Sequence, residues 1–180
     1  VWAYRTGDAV DAAPCVIEGS VFVGSSDNFL YALDAKTGQL KWKYETGGQI
    51  LGAANWTWSG GSVKTEGFGD GSSNISREPN HPQAELSDAT HQSLWILVGS
   101  YDSKLHCVDS VTGKAVWTYE TGNYVNGAPA IGKIEIPAKD GVAVFGGCDA
   151  MIHVVSLADG SKVTQIDTGS FIAASAALLQ

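Results

Sequence analysis

The stretch ALDAKTGQLKWKYETG, Ala32 to Gly47, returns as CVDSVTGKAVWTYETG at Cys107 to Gly122. A string repeated at this length marks a repeat architecture, and self-similarity bears on fold before local propensity does. Its closing Thr-Gly pair occurs four times, at Thr6-Gly7, Thr46-Gly47, Thr121-Gly122 and Thr168-Gly169. Between successive pairs stands a β-like run ending in glycine: Val21 to Gly24, Ile96 to Gly99 and Ala143 to Gly146. From that glycine to the next Thr-Gly glycine the distance is 47 − 24, 122 − 99 and 169 − 146, which is 23 residues each time. The connection before the run varies instead, at 24 − 7 = 17, 99 − 47 = 52 and 146 − 122 = 24 residues. All length variation therefore sits in one loop of a unit of about 40 residues, the size of a four-stranded propeller blade.

Each unit reads as four short strands. Small residues follow Thr-Gly (Ala12-Ala13, Gly52-Ala53, Gly127-Ala128, Ala174-Ser175), as expected for an inner strand crowding a central axis. The aliphatic run is the second strand, then comes a turn carrying Asp27, Asp102 or Asp149, and a third strand such as Phe29 to Leu33. The fourth follows Asp34-Ala35-Lys36-Thr37-Gly38 and holds Trp42 and Tyr44. Alternating apolar residues punctuated by Gly, Asp and Asn are the β signature, and no sustained 3.6-residue periodicity competes. The sequence thus predicts an all-β chain, a β-propeller of four-stranded antiparallel blades. Residues 1–180 supply three complete blades plus flanking strands at Trp2 to Thr6, Lys162 to Asp167 and Phe171 to Leu178. Open sheet edges invite aggregation, so the remaining blades of a ring of seven or eight are expected outside this segment.

The string itself, Ala32-x-Asp34-x-x-Thr37-Gly38-x-x-x-Trp42, resembles the tryptophan-docking motif of the PQQ-like (pyrroloquinoline quinone) β-propeller repeats. Asp109, Thr112, Gly113 and Trp117 match it again, with Cys107 in place of the alanine. The third copy keeps Gly160 but has Ser156, Asp159 and Thr164 where the motif has Asp, Thr and Trp, so the motif is incomplete there and docking at that copy is left open. An aspartate in a turn accepts backbone N–H bonds, a glycine takes positive φ, and an indole buries a broad ring. The resemblance implies that the ring packs between adjacent blades, a structural role rather than a catalytic one.

Composition narrows the function. The formal charge is −8, from 19 acidic and 11 basic residues, and no basic stripe appears, which argues against a nucleic-acid partner. Apolar runs stay far below the length of a transmembrane segment. Cys15, Cys107 and Cys148 are too scattered for a disulfide framework or a zinc site.

Chemistry is sparse. A long insertion, residues 56–93, is expected between the first and second strands of a blade, opening Trp56-Thr57-Trp58. Trp56 and Trp58 are candidate anchors of a partner-docking flap, set against a plain solvated loop. His81, His91, Glu78 and Asp88 lie there without metal-ligand spacing, and no metal site is predicted. Gly67 to Gly71 lacks a dinucleotide spacing, and Asn55-Trp56-Thr57 and Asn74-Ile75-Ser76 are glycosylation sequons. His106 and His153 occupy the slot of Tyr31 and read as packing. The fourth residue after each Thr-Gly glycine is Asp11, Leu51, Asn126 and Ala173, of which Asp11 and Asn126 are candidates to line an axial channel and bind a polar ligand.

The family resemblance implies two functions. One is a non-catalytic binding or scaffold module, like the outer-membrane assembly lipoproteins, that docks a protein partner or small ligand on a face or in the channel. The other is a piece of a quinoprotein alcohol or sugar dehydrogenase, with PQQ and calcium on the axis. No adjacent cysteine pair occurs here, and the calcium ligands and catalytic aspartate cannot be placed, so the first is preferred with no catalytic residue and no cofactor. The same resemblance implies a bacterial, periplasmic or otherwise extracytoplasmic protein.

Overall fold

The computed structural model describes residues 1–59, 92–133 and 141–177. Among the described residues twelve strands form three four-stranded antiparallel sheets, each a meander of neighbours in sequence. Blade 1 holds β1 (Cys15–Ile17), β2 (Ser20–Gly24), β3 (Phe29–Asp34) and β4 (Leu40–Glu45). Blade 2 holds β5 (Asn55–Trp58), β6 (Leu94–Gly99), β7 (Lys104–Asp109) and β8 (Ala115–Glu120). Blade 3 holds β9 (Ala130–Gly132), β10 (Val142–Gly146), β11 (Met151–Ser156) and β12 (Lys162–Asp167). No helix of the described residues is long and apolar enough to cross a membrane.

The blades stack through apolar faces. Phe22, Leu30 and Ala32 of blade 1 meet Leu94, Ile96, Val98 and Val108 of blade 2 in one buried cluster. Leu97, Leu105 and Cys107 on the other side of blade 2 meet Ala143, Phe145 and Val155 of blade 3 in a second. Strands buried on both sides require apolar residues at successive positions rather than strict alternation, which is why LWILVG and SVFVG form the second strands. The three blades repeat even their irregularities. A register shift falls between Ala32 and Leu33, between Cys107 and Val108, and between Val154 and Val155.

Three sequence expectations need correction. The small residues after Thr-Gly lie ahead of the inner strands, whose ladders start at Cys15, Asn55 and Ala130. Their smallness serves a contact between loops instead. A Cβ on Gly52 would fall 2.7 Å from the Asn126 carbonyl oxygen, and one on Gly127 would fall closer still to that of Ala174. The insertion begins later than residue 56, because Trp56 and Trp58 belong to β5 and pair with Ile96 and Leu94. Their alternation with Asn55 and Thr57 is a strand pattern that the glycines behind them obscured. Of the flanking segments, β12 is a strand, whereas Trp2 to Thr6 and the described part of 171–178 carry no ladder. His81, His91, Glu78, Asp88, Gly67 to Gly71 and the Asn74 sequon lie outside the described residues.

Candidate functional site

Each blade boundary is closed by the same two devices, and they account for most of the residues singled out in the sequence. The first is the docking turn. Asp34 Oδ1 accepts the N–H groups of Lys36 and Thr37 at 3.1 and 2.7 Å and the Thr37 hydroxyl at 2.8 Å. These bonds, that from the Thr37 hydroxyl foremost, hold the Asp34 carboxyl below the usual carboxylate range. Asp109 and Thr112 repeat the geometry. The turn ends on Gly38, Gly113 or Gly160, all at positive φ, between 66° and 74°. Onto each glycine lies an indole from the preceding segment: Trp2 over Gly38, Trp42 over Gly113 and Trp117 over Gly160. Each ring N–H donates to a turn carbonyl, of Ala35 at 3.0 Å, Ser110 at 2.9 Å and Leu157 at 3.0 Å respectively.

The third copy, whose motif is incomplete, receives an indole as well. The glycine and the exposed carbonyl are what the indole needs, and the Gly160 N–H to Ser156 carbonyl bond closes the turn at 2.9 Å without the aspartate. Trp2, which the sequence reading passed over, has the same signal: Trp2-x-Tyr4-x-Thr6-Gly7 matches Trp42-x-Tyr44-x-Thr46-Gly47.

The second device is a carboxylate clasp on the opposite face. Asp27, Asp102 and Asp149 each accept the N–H of a Thr-Gly glycine from the preceding segment, at 2.7, 2.8 and 2.9 Å. Four residues on, a ring completes the clasp. The Tyr31 hydroxyl donates to Asp27 at 2.6 Å, and Nε2 of His106 and of His153 lies 3.1 Å from the matching carboxylates. With Nε2–H committed to the carboxylate, Nδ1 is the acceptor for a tyrosine of the blade behind: Tyr44 to His106 at 3.1 Å and Tyr119 to His153 at 3.3 Å. Burial lowers the pKa of His106 against the opposing pull of Asp102. Burial alone would raise Asp102, but the Gly47 and His106 bonds outweigh it and the net shift is downward.

The axial candidates are not gathered into one site. Asp11 is exposed and Asn126 half-buried, on different blade junctions, and Asn55 donates its side-chain N–H to the Pro129 carbonyl at 3.0 Å. Trp56 and Trp58 meet edge to face at 6.5 Å and pack against the blade 1 and 2 core. On the clasp face, Tyr101 and Tyr124 stack at 4.6 Å with their rings 2° from parallel, Tyr124 being 46% exposed. Among the described residues no group of three or more His, Cys, Asp or Glu side chains is arranged to hold a metal ion.

Comparison with known proteins places this geometry. The chain is 24% identical over 159 residues to the quinohemoprotein alcohol dehydrogenase ADH-IIG of Pseudomonas putida, covering 81% of this chain and 18% of the relative. It is 28% identical over 127 residues to the outer membrane protein assembly factor BamB of Nitrosomonas eutropha, covering 67% of this chain and 31% of that protein. The chain thus spans under a third of either relative's length. Among solved structures, BamB from Moraxella catarrhalis superposes with a TM-score of 0.57 at 19% identity, over 91% of this chain and 38% of that one. The computationally designed Ika4 protein superposes at 0.60 and 15% identity, over 94% and 80%. A family model described as the glucose/ethanol/alcohol dehydrogenase β-propeller domain (PQQ) matches residues 1–126. Repeats, docked indoles and family match agree, and the chain belongs to the PQQ β-propeller domain family.

Proposed function

We propose that this segment is a non-catalytic scaffold and binding module that presents its loop faces to a protein partner outside the cytoplasm. The observation that carries the reading is the use made of its acid–base residues. Asp27, Asp102 and Asp149 accept backbone N–H bonds from the segment before their blade, and His106 and His153, held on the last two carboxylates, accept from tyrosines of the blade behind. A general acid or base needs a proton within reach of substrate, whereas these side chains face the blade junctions. The stacked pair Tyr101 and Tyr124 offers a partner a rigid aromatic surface, and BamB, an assembly factor by name, is among the relatives.

A second reading, part of a PQQ- and calcium-dependent dehydrogenase, is favoured by the relatives, four of which are dehydrogenases by name. Calcium asks for six to eight oxygen ligands, and at the axial positions these blades offer Asp11 and Asn126 on separate junctions. The described residues do not supply that ligand set, and no reaction step is assigned to them. The test is dye-linked alcohol oxidation by the full-length protein with added quinone and calcium. The expected result is no alcohol-dependent dye reduction; saturable turnover would overturn the scaffold reading.

A further inference from the structure

The three blade junctions follow one plan but differ at two positions. One is the residue before each Thr-Gly pair, which is Arg5 at the first junction, Glu45 at the second and Glu120 at the third. The other lies across the ladder from the clasp ring: Lys43 opposite Tyr31, Thr118 opposite His106 and Gln165 opposite His153. Two junctions therefore combine an acid with a neutral side chain, and the first combines two cations in a chain of net charge −8.

At that first junction a cleft of about 460 Å³ opens between the Tyr4 to Gly7 segment and blade 1. Tyr4, Arg5, Phe29, Tyr31, Leu40 and Lys43 line it. The Lys43 ammonium stands 3.9 Å from the centre of the Phe29 ring, and Tyr31 is flanked by Tyr4 at 5.7 Å and Phe29 at 6.2 Å. The Asp27 carboxylate also borders the cleft, but its oxygens are taken by Gly7 N–H, the Tyr31 hydroxyl and Phe29 N–H. Ion pairs among the described residues join Lys41 to Asp34, His106 to Asp102 and His153 to Asp149; Arg5 and Lys43 are in none of these, and Lys43 rests on the Phe29 ring.

We propose that this cleft binds a small aromatic carboxylate, its anionic end between Arg5 and Lys43 and its ring against Tyr4 and Phe29. A guanidinium presents a planar fork matched to a carboxylate, and the cleft falls within the volume range of small-molecule sites. The site is independent of the scaffold reading, because either propeller function could carry it.

The test uses the full-length protein and benzoate, with benzyl alcohol as the uncharged counterpart, followed by calorimetry and by chemical-shift changes of the Tyr4 and Phe29 rings. Saturable benzoate binding is expected, with Kd on the order of 1 mM for a ligand of that size. The double variant Arg5→Glu with Lys43→Thr installs the pair found at the second junction and is expected to weaken benzoate by about tenfold or more, leaving benzyl alcohol unchanged. An unaltered unfolding midpoint checks that the variant is folded. Benzoate binding of equal strength in the variant, or no saturable binding to the native protein, would overturn the proposal.

Discussion

The ring of Trp2 occupies the space where a side chain on Gly38 would begin, and its N–H donates to Ala35 in the same turn. Two requirements meet at this glycine, a φ of 74° and room for an indole. Gly38→Ala, Gly113→Ala and Gly160→Ala are each expected to lose about 2 kcal/mol or more, from overpacking added to the left-handed backbone cost. Gly19→Ala separates the two effects, since Gly19 has φ 66° but open space around it, and about 1 kcal/mol is expected. Urea unfolding midpoints of the four variants check the order.

The indoles themselves should matter more than the turns that receive them. Trp117→Ala is expected to cost about 3 to 5 kcal/mol, because that ring is nearly buried between blades 2 and 3. Trp42→Ala should fall at the lower end, its ring being half-buried. Trp117→Phe keeps most of the packing and loses the bond to Leu157, so recovery of most of the stability is expected in the same unfolding measurement.

The clasp makes a pH prediction of definite sign. His106 is held below its ordinary pKa, so its neutral form is favoured in the folded state, and stability falls as pH drops below about 6.5. The lowered Asp102 pKa acts in the same direction at still lower pH, its stabilisation being lost as the carboxylate protonates. Unfolding midpoints are therefore expected to decline from about pH 7.5 to about pH 5, and His106→Gln should flatten the upper part of that decline. A native midpoint rising over this interval would contradict the assigned hydrogen-bond roles.

Cysteine reactivity reports the same packing. The Cys107 thiol is fully buried and its pKa is driven upward by burial, with Asp109 adding to it. In the native protein, alkylation is expected at the half-buried Cys148 and to a lesser degree at Cys15, whose thiol burial also raises. Cys107 should react only on unfolding, which mass spectrometry of labelled peptides distinguishes.

How far the sequence could be read depended on the distance between partners. The Asp34 to Gly38 turn and the strand order were legible because their bonds close within a few residues. The clasp was not, since Gly7, Gly47 and Gly122 meet carboxylates 20, 55 and 27 residues away. The repeat placed Asp27, Asp102 and Asp149 in equivalent turns, yet nothing local says that each reaches back to the segment before its blade. Docking at Gly160 stayed open in the sequence for a related reason. The aspartate of the motif ties its own turn, and the indole answers only to the glycine and a carbonyl. The two cations Arg5 and Lys43, where the other junctions carry an acid and a neutral side chain, were present in the sequence but acquire meaning only when the ladder sets Lys43 beside Tyr31.

The indole and carboxylate grips each join one chain segment to the blade that follows it, while the connection from Trp58 to Leu94 starts and ends on the face opposite the carboxylates. Such a module can be duplicated, lost or swapped as a cassette with only two seams to match. Lengthening that connection leaves both seams intact, so lineages can elaborate one face of the wheel without rebuilding its spokes.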